Sequence, residues 1–515
     1  VSRRLLLELD VGGHVVYLTT DPEAVEVSGE RYVPGLDVGA VDVAAGGVKI
    51  SASWSPPGGW GAWIGSVGSM EERPAVLLWH RDGETRADCL ELASGRLVDV
   101  AYGGPAEPLS GQVVPSEGEV LMPPPTASIS SDDWSLAPAP VVGRVPPIIL
   151  GYPGSRAEDG SSALPTVPAL YTSPGGTDLL VVAHESIGAT TCTLTRVSGG
   201  IGVISKWTGA PITEQQPGAH VVSVVSNLGS PAPTGFFVED GVYLLSFDSG
   251  TASHGGVTGG GRVLRGAGEV LRWVLERYSR EGVDVARWRQ HESWLDSYKI
   301  DAYIDQPIGG VEWIRRAVLP FLPVRLRRSS GGWWLQPHRY YATAADVVRS
   351  LSADRGDVQR RSSVTRRSEV YNAFTMSFRF GNQGRYYAVR TLEGLPGQLQ
   401  PLPGGTDTRQ YGRADLRLSE LRYGRRVAPP ILCPITWDRA TAAQILHDAA
   451  DEHGWPHRAV QYVGPVDLDT VEPGQVVALT DSEVGISDAL ALVERVVIDV
   501  DQVVLDLTVL DAPGR

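Results

Sequence analysis

Short apolar runs in period-two alternation, each cut off by glycine or proline, recur along most of this chain. That pattern leaves little room for anything but β structure. The chain holds 60 glycines and 37 prolines in 515 residues. Together they make up about a fifth of it, against about 12% in average proteins. No Gly-X-Y period accompanies the excess, which removes collagen and leaves turns between short strands. With 42% hydrophobic and 20% charged residues the chain can build cores, and its length predicts about three or four domains.

Four segments follow from the pattern. In the first, Leu5, Leu7 and Leu9 share one face, Gly12 and Gly13 supply a two-residue turn, and His14–Thr20 returns. Val48–Trp54, Ala75–Trp79 and Leu97–Tyr102 continue the alternation, so 1–125 is read as an N-terminal β-barrel-like domain. Prolines at 123, 124 and 125, then at 138 and 140, break the pattern. Strands expected at Val141–Val145, Leu179–His184, Thr191–Val197, His220–Val225 and Val242–Phe247 make 126–262 a second β domain. Its Gly-rich end at 255–261 has no phosphate-loop lysine and reads as a junction.

Near residue 265 the period changes to 3.6. Val270, Leu271, Val274, Leu275 and Tyr278 form one helical stripe, with Gly282 as its C′ residue. Asp284 caps a second helix carrying Val285, Trp288 and Leu295, and a third is expected over 309–319. A hairpin turning at Ser329–Gly332 follows, so 263–368 is an α+β module. The last segment, 369–515, is a C-terminal β-barrel-like domain with one helix. It has an alternating strand through Phe374, Met376, Phe378 and Phe380, and an extended polar loop over 391–412. Its helix opens at Asp438 and stops at Gly454, and three strands close the chain. The fold class is β-rich multidomain α+β: several small β-barrel or sandwich domains with a helix-containing middle module.

The residues offer little chemistry. A formal charge of −15 argues against a nucleic-acid binder. Of 45 basic residues three are lysine (Lys49, Lys206, Lys299), which leaves 42 arginines. Cys89, Cys192 and Cys433 are too few and too far apart for a disulfide framework or a zinc knuckle, and read as buried hydrophobes. No apolar run reaches membrane-spanning length. The opening Leu5–Leu9 run is interrupted by Glu8 and Asp10 too soon for a signal peptide. Walker, G-x-S-x-G and H-E-x-x-H motifs are absent from the sequence. The nearest metal-like group is His447, Asp448, Asp451, Glu452, His453 and His457, but Gly454 and Pro456 split it, and it reads as a solvated helix face. The arginines between 349 and 367 read as a salt-bridged surface or subunit interface. No catalytic residue, cofactor or metal is expected. Trp54, Trp60 and Trp63 lie in one Pro/Gly loop. They are the only candidate contact residues, for a sugar or for the tip of an assembly.

Four stretches carry a family resemblance. They are Pro140–Pro147, the Gly-rich exit and helix of Val257–Val285 with its "ERYSREGVD" end, and the Tyr371–Phe378 strand. The fourth is the C-terminal order "ATAAQIL", "EPGQVVALTD" and "LVERVVIDVDQVVLDLTVLD". In their order and spacing they resemble the hub protein at the tail tip of long-tailed bacteriophages, with relatives in contractile baseplates and gene transfer agents. The resemblance implies a non-enzymatic structural protein of the virion, at the distal end of the tail. It implies a homotrimer in which two β-barrel-like domains per copy make a pseudo-sixfold ring, matching a sixfold tube to a threefold tip and closing the channel for DNA passage. Implied partners are a distal tail protein ring, a tape measure protein and tip fibre or spike proteins, with DNA passing through unread. Interfaces of about 2,000 Å² or more are then expected, formed by strands at Leu5–Thr20, Phe374–Phe380 and Gln475–Thr480. Two other readings stand beside it: a tail-associated cell-wall hydrolase, and a carbohydrate-binding tip protein using the three tryptophans.

Overall fold

The computed structural model describes residues 3–11, 14–38, 41–42, 48–52, 73–101, 109–114, 120–132, 142–151, 262–329, 332–340, 342–365, 370–380, 386–393, 416–498 and 502–510. Between 164 and 259 it describes the backbones of short strands alone. The chain is β-rich, with several separate sheets and a helical middle.

Among the described residues the N-terminal sheet has nine strands. Inside it Arg3–Val11 is paired on one side with His14–Thr19 and on the other with Arg73–Arg81. The first pairing runs down to Val11 opposite His14, the register a two-residue turn demands. Leu5, Leu7 and Leu9 all point to one face and are buried there with Leu18, Leu77, Leu97 and Val113. The opposite face is covered too. Leu6 and Leu78 lie under Val27 and Tyr32 of the hairpin Val25–Val27/Glu30–Pro34. Burial on both faces forces Glu8 inside, where Tyr32 donates to it at 2.6 Å and Arg86 donates twice, at 2.7 and 2.6 Å. A buried carboxylate needs that many donors.

Between 164 and 247 the strands form two four-stranded sheets. The expected strands appear there as Asp178–His184, Cys192–Ser198, Val221–Ser226 and Gly241–Phe247. Val142–Pro147 is not a strand; the first strand after the prolines is Ile148–Leu150, paired with Ala302–Ile304.

In the middle module the helix Ala267–Tyr278 buries the expected stripe. It ends at Tyr278, and Gly282 is not its C′ residue. Gly282 instead accepts from Trp333 N–H at 2.9 Å, beneath the hairpin Val324–Ser329/Gly332–Pro337. The hairpin turns at Gly332, where φ is +111°. A Cβ there would sit 2.2 Å from the Gly282 carbonyl oxygen, so two requirements for glycine coincide. Asp284 caps Val285–Leu295 by accepting from Arg287 N–H at 3.1 Å. The third helix is broken into Gly310–Trp313, a wide turn Ile314–Val318 and Leu319–Phe321.

The strand Ala373–Phe380 sits between Tyr386–Glu393 and Ile431–Leu432. Phe374, Met376 and Phe378 pack with Ala442, Ile445 and Leu446 of the helix Arg439–His453 in the same core as the helix Ala267–Tyr278. Fully burying each such side chain is worth about 1.5–3 kcal/mol. A helix at Leu416–Tyr423 has no counterpart in the sequence reading; with Leu416 and Ser419 its only buried residues, it carries no apolar stripe.

The C-terminal sheet runs in the order Val347–Ser352, Val476–Asp481, Ile486–Ile498, Val503–Val509, Arg458–Gly464, Gln359–Thr365, with Val41–Asp42 added off this path. Strands 347–352 and 359–365 pair within this sheet, whereas the strands Ala373–Phe380 and Tyr386–Glu393 and the helix Arg439–His453 join the middle core, so pairing runs across residue 368. A strand's partners more than 100 residues away leave no local mark on it. The strands expected to form the ring are also internal. Leu5–Val11, Ala373–Phe380 and Val476–Asp481 each have neighbours on both sides, so their backbones are already paired and cannot add a strand from another copy.

Candidate functional site

The N- and C-terminal sheets are built into one another. The buried face of Leu5, Leu7 and Leu9 forms one continuous apolar cluster with Leu351, Leu479, Val493 and Leu505 of the last sheet. Val41 and Asp42 pair antiparallel with Ile498 and Val497. At the seam Asp469 sits on the short turn Val466–Thr470 with its side chain fully buried. It accepts from Trp79 Nε1 at 2.6 Å and from Arg81 Nη2 at 2.9 Å, with Arg3 at 3.6 Å. A carboxylate surrounded by one indole and two guanidiniums is a directional lock: it holds the seam in one register, which apolar contact alone would not fix.

A second seam joins the middle module to the C-terminal sheet. Arg325 on the hairpin donates to the Glu494 carbonyl and carboxylate, both at 2.9 Å, and its Nη2 lies 2.7 Å from His338 Nε2. Thr508 donates to the other Glu494 oxygen at 2.9 Å. Burial works to raise the Glu494 carboxyl, but His338, Arg325 and Thr508 outweigh it and hold the group down at about 2. Tyr340 packs edge-on to His338 and stacks on His457. Burial, then the nearby Glu494, push its phenol up. Cavities of about 500 and 640 Å³ flank this cluster, sharing Arg325, Tyr340, Glu452 and His453 as walls.

The residues singled out in the sequence fall as follows. Trp54, Trp60 and Trp63 lie outside the described residues. The histidine and acid group around residue 450 does not converge. Asp448 accepts from Tyr298 at 2.7 Å, His453 packs on Tyr371, and His457 Nε2 lies 2.9 Å from the Asp451 carbonyl oxygen. Among the described residues no three His, Cys, Asp or Glu side chains are grouped to hold a metal. Arg349 pairs with Asp467, Arg355 with Asp357, and Arg360 with both Asp481 and Glu483; Arg366 lies outside the described residues. Cys89 and Cys433 are free and buried. Burial pushes their thiols up to about 11 and about 12, far from reactive thiolates. No helix among the described residues is long and apolar enough to cross a membrane. Asp469, Glu494 and Glu8 were missed in the sequence because each carboxylate meets partners from distant segments.

No model of a known protein family matches the chain. No curated protein matches it either. Solved structures do. One is a chain in the virion of a native gene transfer agent (GTA) particle, at 12% identity and TM-score 0.41, covering 72% of this chain and 85% of that one. A second is the 43 kDa tail protein of prophage MuSo2 from Shewanella oneidensis, at 10% identity and TM-score 0.32, covering 98% of both. A third is the prophage tail protein gp18 from Listeria monocytogenes EGD-e, at 9% identity and TM-score 0.25, covering 62% of this chain and 88% of that one.

Proposed function

We propose that this chain is the structural hub of a phage-like tail tip. In this reading three copies close a ring that adapts a sixfold tail tube to a threefold tip, at the distal end of the tail, and the ring encloses the channel for DNA. The observation that carries the reading is the shared core of the two large sheets. Residues 3–114 and 347–509 each contribute a sheet, and one apolar cluster with the Asp469 lock fixes them side by side. Three copies then bring six β modules to one ring in fixed pairs, which is what a threefold-to-sixfold adaptor requires. The resemblance of the C-terminal segment order to tail-tip hubs supports the same reading. A formal charge of −15 suits a channel through which DNA passes without sticking. Partners in this role are the distal tail protein ring, the tape measure protein and tip fibre or spike proteins.

The test is an electron-microscopy map of the native particle, together with sedimentation of the purified chain. A threefold ring of this chain at the tail end is expected. A single-copy mass at every concentration, with absence from particles, would overturn the reading.

A further inference from the structure

A cavity of about 380 Å³ opens between the helix Val285–Leu295, the hairpin strand Gly332–Pro337 and the turn that leads into Val476–Asp481. Each wall carries polar groups. Arg287 and His291 are spaced i, i+4, so they share one face of the helix. Trp334 and Gln336 alternate along the strand and share the face that meets Arg287. Glu472 and Gln475 come from the turn, and Arg339 from the chain just after the hairpin.

These side chains are left with donors to spend. Gln336 is 4% exposed, and its Oε1 accepts from Arg327 Nε at 3.0 Å. That bond fixes which end of the amide is which, and it leaves Nε2 with no acceptor among the described residues. Gln475 repeats the pattern: its Oε1 accepts from Glu472 N–H at 2.9 Å, and its Nε2 has no acceptor among the described residues. Arg287 lies over Trp334, its guanidinium carbon 4.8 Å from the ring centroid. It approaches Asp284 at 3.6 Å and Glu472 at 3.8 Å, both beyond hydrogen-bond length. One guanidinium fork and two amide nitrogens therefore line a single cavity with hydrogen bonds still to make.

Formal charges in the lining balance, Arg287 and Arg339 against Asp346 and Glu472. Asp346 is committed to Thr343, accepting from its N–H and its hydroxyl at 2.8 Å each. Burial, then Arg339, lower the His291 imidazole, which is therefore neutral at pH 7. An acceptor with one negative charge suits this lining, whereas a dianion would lack the further cation it needs once desolvated. A carboxylate has that charge and two coplanar oxygens, which a guanidinium fork and amide N–H groups match.

We infer that this cavity binds a small organic monocarboxylate. The Arg287 fork takes its two oxygens, and Gln336 Nε2 and Gln475 Nε2 donate to it from the strand and the turn. Glu472, beside Arg287, accepts from a hydroxyl or N–H on the body of the ligand. The volume lies near the low end of the range for ligand pockets, about 300–1,000 Å³, so it suits a single sugar ring or amino acid and not a length of polymer. With a formal charge of −15 the protein as a whole repels anions, so capture must come from local donors. The site stands on its own lining and does not depend on the hub reading.

The test is titration calorimetry of the purified full-length chain with glucuronate, N-acetylalanine and inorganic phosphate. Glucuronate carries the carboxylate on a sugar and N-acetylalanine carries it as a peptide end; binding of either supports the site, and the tighter one names the source. Gln336→Glu keeps the oxygen that accepts from Arg327 and replaces the donor by a negative oxygen. Arg287→Gln removes the fork, at a side chain 37% exposed, so it tests the site even if Gln336→Glu does not fold. Each variant is expected to weaken carboxylate binding by about tenfold or more. Arg316→Gln, on an exposed arginine outside the cavity, should leave it unchanged. A wild type that binds neither carboxylate, or variants that bind them as wild type does, overturns the inference. Phosphate bound more tightly than both carboxylates overturns it as well.

Discussion

The indole N–H of Trp79 donates to the Asp469 carboxylate at 2.6 Å, across 390 positions of chain. With Arg81 on the same carboxylate at 2.9 Å, this contact fixes how the first and last sheets meet. Replacing Asp469 by Ala leaves an indole N–H and a guanidinium without their acceptor in a buried seam. The expected loss is about 3–5 kcal/mol, read as a fall in the midpoint of denaturant unfolding. Trp79→Phe removes the indole N–H and also leaves a smaller ring in a site only 1% exposed, so a cavity adds to the lost hydrogen bond and a loss of about 2–4 kcal/mol is expected. A cost for Asp469→Ala near zero would show that the seam is held by apolar contact alone.

Glu494 predicts an acid dependence. Its carboxyl is lowered from 4.5 to about 2, so the folded state holds the charged form more firmly than the unfolded chain does. The stabilisation is complete above the unfolded value and is lost as pH falls through about 2. A shift of this size corresponds to about 3 kcal/mol. Wild type should therefore exceed Glu494→Gln in stability at pH 6, with the gap narrowing between pH 4.5 and 2. Parallel stability curves for the two proteins across that range would refute the assignment of the lowered group to Glu494.

Gly332→Ala should cost more than a turn substitution normally does. The new Cβ meets both a φ of +111° and the Gly282 carbonyl oxygen at 2.2 Å. A loss above about 1 kcal/mol is expected. Gly356→Ala is the control: its φ is +79° but nothing lies within 4 Å, so its loss should be the smaller of the two. Thermal unfolding of the pair separates crowding from backbone strain, and equal losses would mean that crowding contributes nothing.

Phe374→Ala tests whether the strand Ala373–Phe380 belongs to the middle core. Phe374 is 1% exposed and packs there with Met376 and Ile445. A loss of about 3–5 kcal/mol is expected. Hydrogen exchange should quicken in the helices Ala267–Tyr278 and Arg439–His453 before it does in the C-terminal sheet. The reverse order would place the strand with the sheet instead.

What could be read from the sequence was local. The stripe through Val270, Leu271 and Val274 named a helix, Asp284 and Asp438 marked the starts of two more, and the alternation of Phe374, Met376 and Phe378 named a strand. Each signal lies within one turn or one strand of the residues it organises. Pairing is different. The side chains of 347–352 are the same whether the strand joins the middle module or the last sheet; its parallel partner at Val476–Asp481 decides, and that choice is made by the whole core. Asp469 carried no mark either, because an aspartate in a short polar turn is ordinary until an indole and a guanidinium from the other end of the chain reach it.

The shared cluster of Leu7 with Leu505 also governs how the protein comes into being. During synthesis the first sheet emerges hundreds of residues before the strands that cover it, so one side of it must wait, greasy and uncovered, until the last sheet has been made. A ribosome that stalls midway would release an adhesive fragment, and chaperones that shield nascent chains should bind this protein early and let go late.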